Sequence, residues 1–219
     1  MSASHVTPAV GSPPVRLAGL LYLVIILCGL MAELLLRAPL IGETAEETAR
    51  SIKAALPAFR ASLGADLIMV AADVALALLF YELLRHVSAP LARAALVLRL
   101  VQAVLIAAGL VRLAAVPGMI AAGEATMAHQ MIDLHAIGYD VGLVFFGGNA
   151  LVMVTLLSRS GVVPRVILVG LALSGLVYIA GGLARLLAPG LIPVIQPAYL
   201  VPMLSETAFC LWLLVRARI

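Results

Sequence analysis

Residues 66–85 have the sequence DLIMVAADVALALLFYELLR, an almost unbroken apolar stretch with acidic and basic residues near its ends. A helix of about 20 predominantly apolar residues crosses the hydrocarbon core of a bilayer, so this stretch predicts a membrane-spanning helix. Asp73 stands in its middle, where a charged side chain is costly unless it is paired or faces water. The stretch therefore predicts both the environment of the chain and a place to look for its function.

Apolar segments of similar length recur along the whole chain. The composition agrees, since 64% of the residues are hydrophobic, only 11% are charged and the mean hydropathy is +1.17. These values exclude a water-soluble fold and predict an all-α polytopic membrane protein with six transmembrane helices. The predicted spans are 16–37, 61–85, 91–117, 133–158, 164–187 and 197–215.

The remaining residues predict little structure outside the membrane. Residues 1–15 contain Ser, Pro and Gly and predict a disordered lead, followed by a single transmembrane domain over 16–219. Thr44 and Glu47 form the pattern of a capping box. They predict a helix over about 44–56 that lies at the membrane interface.

The formal net charge of +3 comes from Lys and Arg residues scattered at helix ends, not from a basic face. This pattern indicates anchoring at the interface and no nucleic-acid partner. The tight turns at 85–93 and 159–165 are rich in arginine, which predicts that both termini lie in the cytoplasm. Cys28 and Cys210 fall inside apolar segments, where they are expected to pack as small apolar residues.

The even-numbered spans share a pattern. Asp73 begins DVALALLF, Asp140 begins DVGLVFF and Glu206 begins ETAFCLW, while the odd-numbered spans each begin near an arginine. A carboxyl group therefore recurs within every second span. We interpret the six spans as three tandem helical hairpins, arranged around a pseudo-threefold axis.

The recurring acids are the principal candidates for a binding site, an intramembrane polar pocket. Arg99 is the clearest deep positive partner, and Gln102 lies on the same side of its helix. If the acids converge, Arg99 neutralises one, and the others must be protonated, hydrated or bound to a cation. Asp66 would extend the pocket outward. The alternative is that each acid pairs locally with an arginine and only holds helices together.

Other candidates are weaker. His135 and Asn149 are possible members of the pocket, although five residues of helix turn His135 about 140° away from Asp140, which predicts that those two do not share it. A catalytic metal is not expected, because His, Cys and carboxylate residues do not cluster as zinc ligands do. No cofactor motif and no activated nucleophile is present in the sequence, so catalytic residues remain unassigned.

Four stretches resemble a known family. They are RLAGLLYLVIILCG at 16–29, residues 66–85, LHAIGYDVGLVFFG at 134–147 and SGVVPR at 160–165. Together they are similar to an uncharacterised family of bacterial integral membrane proteins known only as a domain of unknown function, DUF4386. The resemblance implies six helices in a bacterial inner membrane and carries no activity or catalytic residue.

Three functions remain open on the sequence. The first is proton- or cation-linked binding or transport of a small amphiphilic ligand, in contact with membrane lipids. The second is an intramembrane enzyme on a lipid or isoprenoid, with carboxyl groups as acid and base. A cavity lined by Phe145, Phe146, Tyr178 and Phe209 would favour it. The third is a structural accessory subunit. The oligomeric state is not predicted.

Overall fold

The computed structural model describes residues 13–216, and that part of the chain is helical without strands. The six long helices are α1, α3, α4, α5, α6 and α8, and all are apolar enough to cross a membrane, so the predicted all-α polytopic fold is confirmed. Of the predicted disordered lead, residues 1–12 lie outside the described part. In chain order the helices are α1 (Pro13–Leu30), α2 (Ala45–Ala54), α3 (Leu56–Leu84), α4 (Ala89–Ala121), α5 (Ala125–Ser160), α6 (Arg165–Leu187), α7 (Ile192–Ile195) and α8 (Leu200–Arg216).

The long helices form a ring in chain order. Each packs against its neighbours in the sequence, and α8 returns to pack against α1. Small residues permit this closure, since a Cβ on Gly19 would lie 2.9 Å from Leu214 Cδ2 and the Cys210 thiol donates to the Gly19 carbonyl oxygen at 3.4 Å. We call the end that holds the start of α1 and the end of α8 the termini end, and the opposite end the α2 end.

Helices α4 and α5 are longer than predicted. With 33 and 36 residues they measure about 50 and 54 Å, against about 30 Å of hydrocarbon core. Pro117 does not end α4, because Leu113 and Val116 in its last turns are buried in a cluster with Phe59 and Ile132. The two helices therefore project at the α2 end.

Helix α2 packs on this projection. Its capping box is present, since Thr44 Oγ1 accepts from the Glu47 backbone N–H at 3.2 Å and Glu47 Oε2 accepts from the Thr44 backbone N–H at 3.3 Å. Thr48 and Ile52 are buried, and α2 contacts mainly α5. Its position at the bilayer interface stays a prediction.

Helix α1 continues as a π-helix over Met31–Arg37 before a 3₁₀ turn at Ala38–Leu40. A π-turn holds one more residue than an α-turn and so rotates the residues that follow it. Arg37, predicted as a residue at the end of the span, is instead only 2% exposed. The irregular turn thus directs a charged side chain into the bundle.

Candidate functional site: an intramembrane polar cavity

A cavity of about 550 Å³ lies inside the ring, and all six long helices contribute to its wall. Most of the wall is apolar, with Ile25, Leu30, Met69, Ile106 and Leu143 among its residues. A core cluster closes the bundle towards the termini end, and the cluster under α2 packs the opposite end. A cavity of this size and character is typical of sites for small molecules.

Asp73 on α3 forms a buried ion pair with Arg99 on α4. Asp73 Oδ1 accepts from Arg99 Nη2 at 2.7 Å and from Nε at 2.9 Å, and both side chains are only 4% exposed. Asp73 Oδ2 has no hydrogen-bond partner among the described residues, although Asp73 lines the cavity. The pair is therefore neutral overall but leaves one carboxylate oxygen unsatisfied.

Aromatic rings surround the guanidinium group of Arg99. Its Cζ lies 5.1 Å from the ring centroid of Phe146, 5.5 Å from that of Tyr22 and 6.0 Å from that of Phe80. These distances are within the range of cation–π attraction, which is stronger where water is excluded. Arg99 does not line the large cavity, so its charge interacts with Asp73 and these rings and not directly with the cavity.

Glu206 on α8 also lines the cavity and has a different environment. Tyr178 of α6 donates its hydroxyl to Oε1 at 2.7 Å, and Tyr22 of α1 donates to Oε2 at 3.2 Å. Among the described residues, Lys, Arg and His nitrogens are absent within 4.0 Å of this carboxyl group. Glu206 lies about 15 Å along α8 from Arg216, near the middle of the span. It is the carboxyl group on the cavity without a cationic partner.

Asp140 on α5 lies nearer the α2 end. Its Oδ2 is 3.2 Å from Arg185 Nε on α6, without the alignment of a hydrogen bond, and the two side chains are 27% and 33% exposed. Because α5 begins at Ala125 and not near Asp133, Asp140 lies about 30 Å along the helix from Ser160. It thus lies farther from the termini end than Asp73 and Glu206 do, and its depth in the membrane stays a prediction.

Asp66 does not line the cavity, so the prediction that it extends the pocket is wrong. Its Oδ2 accepts from Arg37 Nη1 at 2.7 Å, with both side chains buried. Arg37 Nη2 also donates to Glu33 Oε2 at 2.6 Å, and Glu33 does line the cavity. The π-helix brings about this arrangement, because it turns Arg37 towards α3 while the 58% exposed Glu33 lines the cavity.

Gln102 and His135 line the cavity, whereas Asn149 does not. The Asn149 amide donates to the Ala95 carbonyl oxygen at 2.7 Å and so joins α5 to α4 beside Arg99. Gln102 Oε1 and both ring nitrogens of His135 are buried without a partner among the described residues. Buried polar atoms of this kind usually have a partner, which a ligand or water in the cavity can supply.

His135 and Asp140 do share the cavity, and the sequence prediction that they do not is wrong. The helix is continuous at Gly138 and Gly142, so no distortion brings them together. Instead α5 exposes a wide arc to the cavity, with Tyr139 between the two residues. An angle of about 140° around the helix axis keeps two side chains out of the same pocket only when that pocket is narrow.

Tyrosine hydroxyl groups are the binding groups that the sequence analysis missed, since it named Tyr178 only as an aromatic ring and did not name Tyr22, Tyr139 or Tyr199 as candidates. Tyr22 and Tyr178 hold Glu206, while Tyr139 and Tyr199 line the cavity. A signal was present, because a tyrosine in the middle of a span must find a partner for its hydroxyl group. The sequence does not identify that partner, because the acid that a tyrosine contacts depends on the order of the helices in the ring.

The family model described as "Domain of unknown function (DUF4386)" matches residues 17–217, nearly the whole chain. No curated protein and no solved structure matches the chain.

Proposed function

The chain belongs to the DUF4386 family of membrane proteins, and we propose that it binds a small amphiphilic molecule in the cavity and transports it in exchange for a proton or cation at Glu206. One observation carries the proposal. A carboxyl group near the middle of an apolar helix long enough to cross a membrane, on the wall of a cavity of about 550 Å³, has two tyrosine donors and no Lys, Arg or His nitrogen within 4.0 Å among the described residues. We place the protein in a bacterial inner membrane with cytoplasmic termini.

The chemistry follows from the cost of an unpaired charge in a low dielectric. A carboxylate without a counter-charge is stabilised either by taking up a proton or by binding a cation. The two events exclude each other, since each removes the same negative charge. Tyr22 and Tyr178 hold the carboxyl group in place in both states, because a hydroxyl group can donate or accept. Glu206 therefore suits the exchange of one species for the other.

The other acids support this assignment by contrast. Asp73 and Asp140 each contact an arginine, and Glu33 contacts Arg37. The charges of Asp73 and Asp140 are compensated within the protein. Arg37 is shared by Glu33 and the buried Asp66, and Glu33 is 58% exposed. Among the carboxyl groups on the cavity, Glu206 is the one in contact with hydroxyl groups alone among the described residues, so we assign the change of charge on binding to it.

Uptake into proteoliposomes tests the proposal. The purified protein is reconstituted with a pH gradient, and uptake of radiolabelled octyltrimethylammonium, octanol and octanoate is measured against empty liposomes. We expect the gradient to drive accumulation of at least one probe by the native protein. Glu206→Gln, which keeps the shape of the side chain, should abolish that accumulation.

Glu82→Gln is the matched control. Glu82 pairs with Arg85 at the termini end, is 58% exposed and lines neither cavity, so this variant should retain full uptake. The proposal fails if none of the probes responds to the gradient, or if Glu206→Gln accumulates a probe as the native protein does.

The enzyme alternative has less support. Of the four aromatic residues that would favour it, Phe146 and Tyr178 line the cavity, whereas Phe145 and Phe209 do not. Acid–base catalysis uses two carboxyl groups with different protonation facing one substrate, and Asp73, the candidate for the ionised partner, is held in an ion pair by Arg99. The accessory-subunit alternative was expected to have locally paired acids and no cavity, and Glu206 and the cavity both argue against it.

A further inference from the structure

We infer that the ligand of this cavity is an amphiphilic organic cation, whose charged group binds between Glu206 and a wall of aromatic rings. The inference rests on the proposed binding function and names the chemical class of the ligand. Its first support is the charge of the wall, which includes four carboxyl residues and neither Lys nor Arg among the described lining residues. The compensating arginines stand behind the wall or at its edge. A ligand inside therefore meets carboxylate oxygens directly.

The second support is the arrangement of rings next to Glu206. Phe146 and Tyr178 have ring centroids 5.4 Å apart, and Tyr178 and Tyr199 have centroids 5.9 Å apart, so the three rings form a continuous wall. All three line the cavity, and the hydroxyl of the central ring holds the carboxyl group of Glu206. Aromatic rings beside a carboxylate are a combination that attracts an organic ammonium group. Tyr178 and Tyr199 supply rings that are not among the three around Arg99.

The third support is the unsatisfied oxygen of Asp73. Asp73 is 3% exposed, lines the same cavity and presents an Oδ2 atom without a partner, although its other oxygen is bound to Arg99. A buried acceptor of this kind adds negative potential to the cavity. It disfavours a phosphate or carboxylate head group, because neither Lys nor Arg is among the described lining residues to neutralise one. The apolar remainder of the wall suits a hydrocarbon body on the cation.

Equilibrium binding in nanodiscs tests this class directly, with one eight-carbon chain and three head groups. Octyltrimethylammonium, octanol and octanoate are titrated into the full-length protein, and the fluorescence of Trp212 is recorded. Trp212 is the single tryptophan of the chain and stacks on Phe209 (ring centroids 6.2 Å apart), which contacts Tyr22 beside Glu206. We expect the ammonium compound to bind more than about tenfold more tightly than the other two.

Variants separate the contribution of the Glu206 charge to binding from that of the Tyr178 ring. Glu206→Gln should weaken ammonium binding by more than about thirtyfold and leave octanol binding unchanged. Tyr178→Leu should weaken it by roughly tenfold, while Tyr178→Phe, which keeps the ring, should change it by less than about threefold. The comparison of the three head groups is made on the native protein, so it stays valid even if a variant fails to fold.

Two results would overturn the inference. One is octanol or octanoate binding as tightly as the ammonium compound, and the other is a folded Glu206→Gln protein that binds ammonium with native affinity. Failure of the transport proposal looks different. In that case ammonium binds in nanodiscs and depends on Glu206, yet no gradient-driven uptake occurs in proteoliposomes.

Discussion

At the scale of single residues, two carboxyl groups that line the cavity are in opposite situations. Asp73 is compensated by Arg99 at 2.7 Å, and three aromatic rings surround that arginine. Glu206 has only tyrosine hydroxyl groups. A sequence alone indicates that both are deep in the membrane, because their positions within apolar segments fix their depth. It does not indicate which one has a partner, because that depends on contacts between helices far apart in the chain.

The Asp73–Arg99 pair should therefore be structural. Asp73→Asn leaves a buried guanidinium group without its counter-charge, and we expect a loss of about 3–5 kcal/mol in the free energy of unfolding. Thermal denaturation in detergent measures it. Glu82→Gln removes one partner of the exposed pair with Arg85 and should cost about 1 kcal/mol or less. Equal losses in the two variants would mean that the buried pair contributes no more than a surface pair.

At the scale of elements, the π-helix at Met31–Arg37 is the feature that most affects the site. It reverses the role expected for Arg37, from a residue that anchors the end of a span to one that is buried against Asp66. Hydropathy could not predict this, because an apolar segment predicts a helix but not its hydrogen-bond register. The ends of α4 and α5 were missed for a related reason. Their terminal turns at the α2 end pack against α2, a contact that hydropathy does not record.

Inserting an alanine after Leu35 tests how the register of the π-helix places Arg37. Leu35 is 71% exposed, and one added residue turns Arg37 by about 100° away from Asp66. In this background Asp66→Asn should cost less than about 0.5 kcal/mol, against about 1.5–3 kcal/mol in the native chain, where it removes the buried carboxylate partner of Arg37 and leaves only the 58% exposed Glu33. Thermal denaturation of the four proteins gives the comparison.

The control for this insertion is Leu35→Ala, which keeps the register and should preserve the full cost of Asp66→Asn. If Asp66→Asn is equally destabilising with and without the insertion, the π-helix does not position Arg37.

At the scale of the whole molecule, the six helices form a ring whose centre is a cavity closed towards the termini end. Six spans could be predicted because every apolar segment of sufficient length must satisfy its backbone within a helix. The ring order brings Asp73, Asp140 and Glu206 around one cavity, although Asp140 lies at a different depth. An exact threefold repetition of the three hairpins stays a prediction, since the partners Arg99 and Arg185 lie at unlike positions in their helices.

The orientation of the ring can be tested with two matched cysteines. In a background without Cys28 and Cys210, Glu33→Cys places a thiol at the α2 end and Glu82→Cys places one at the termini end, and both native side chains are 58% exposed. With cytoplasmic termini, a membrane-impermeant maleimide should label Glu33→Cys in intact cells and label Glu82→Cys only after lysis. The reverse pattern would place the termini outside.

The dependence of cation affinity on pH tests the central claim most directly, namely that Glu206 binds either a proton or a cationic ligand. Octyltrimethylammonium is suitable because its charge does not titrate, and its affinity is measured by calorimetry in nanodiscs. For the native protein we predict that affinity falls on acidification, approaching about tenfold per pH unit as one proton competes with one cation, and that Glu206→Gln binds weakly without this dependence. A native affinity that does not change with pH, or the same slope in Glu206→Gln, would contradict the account.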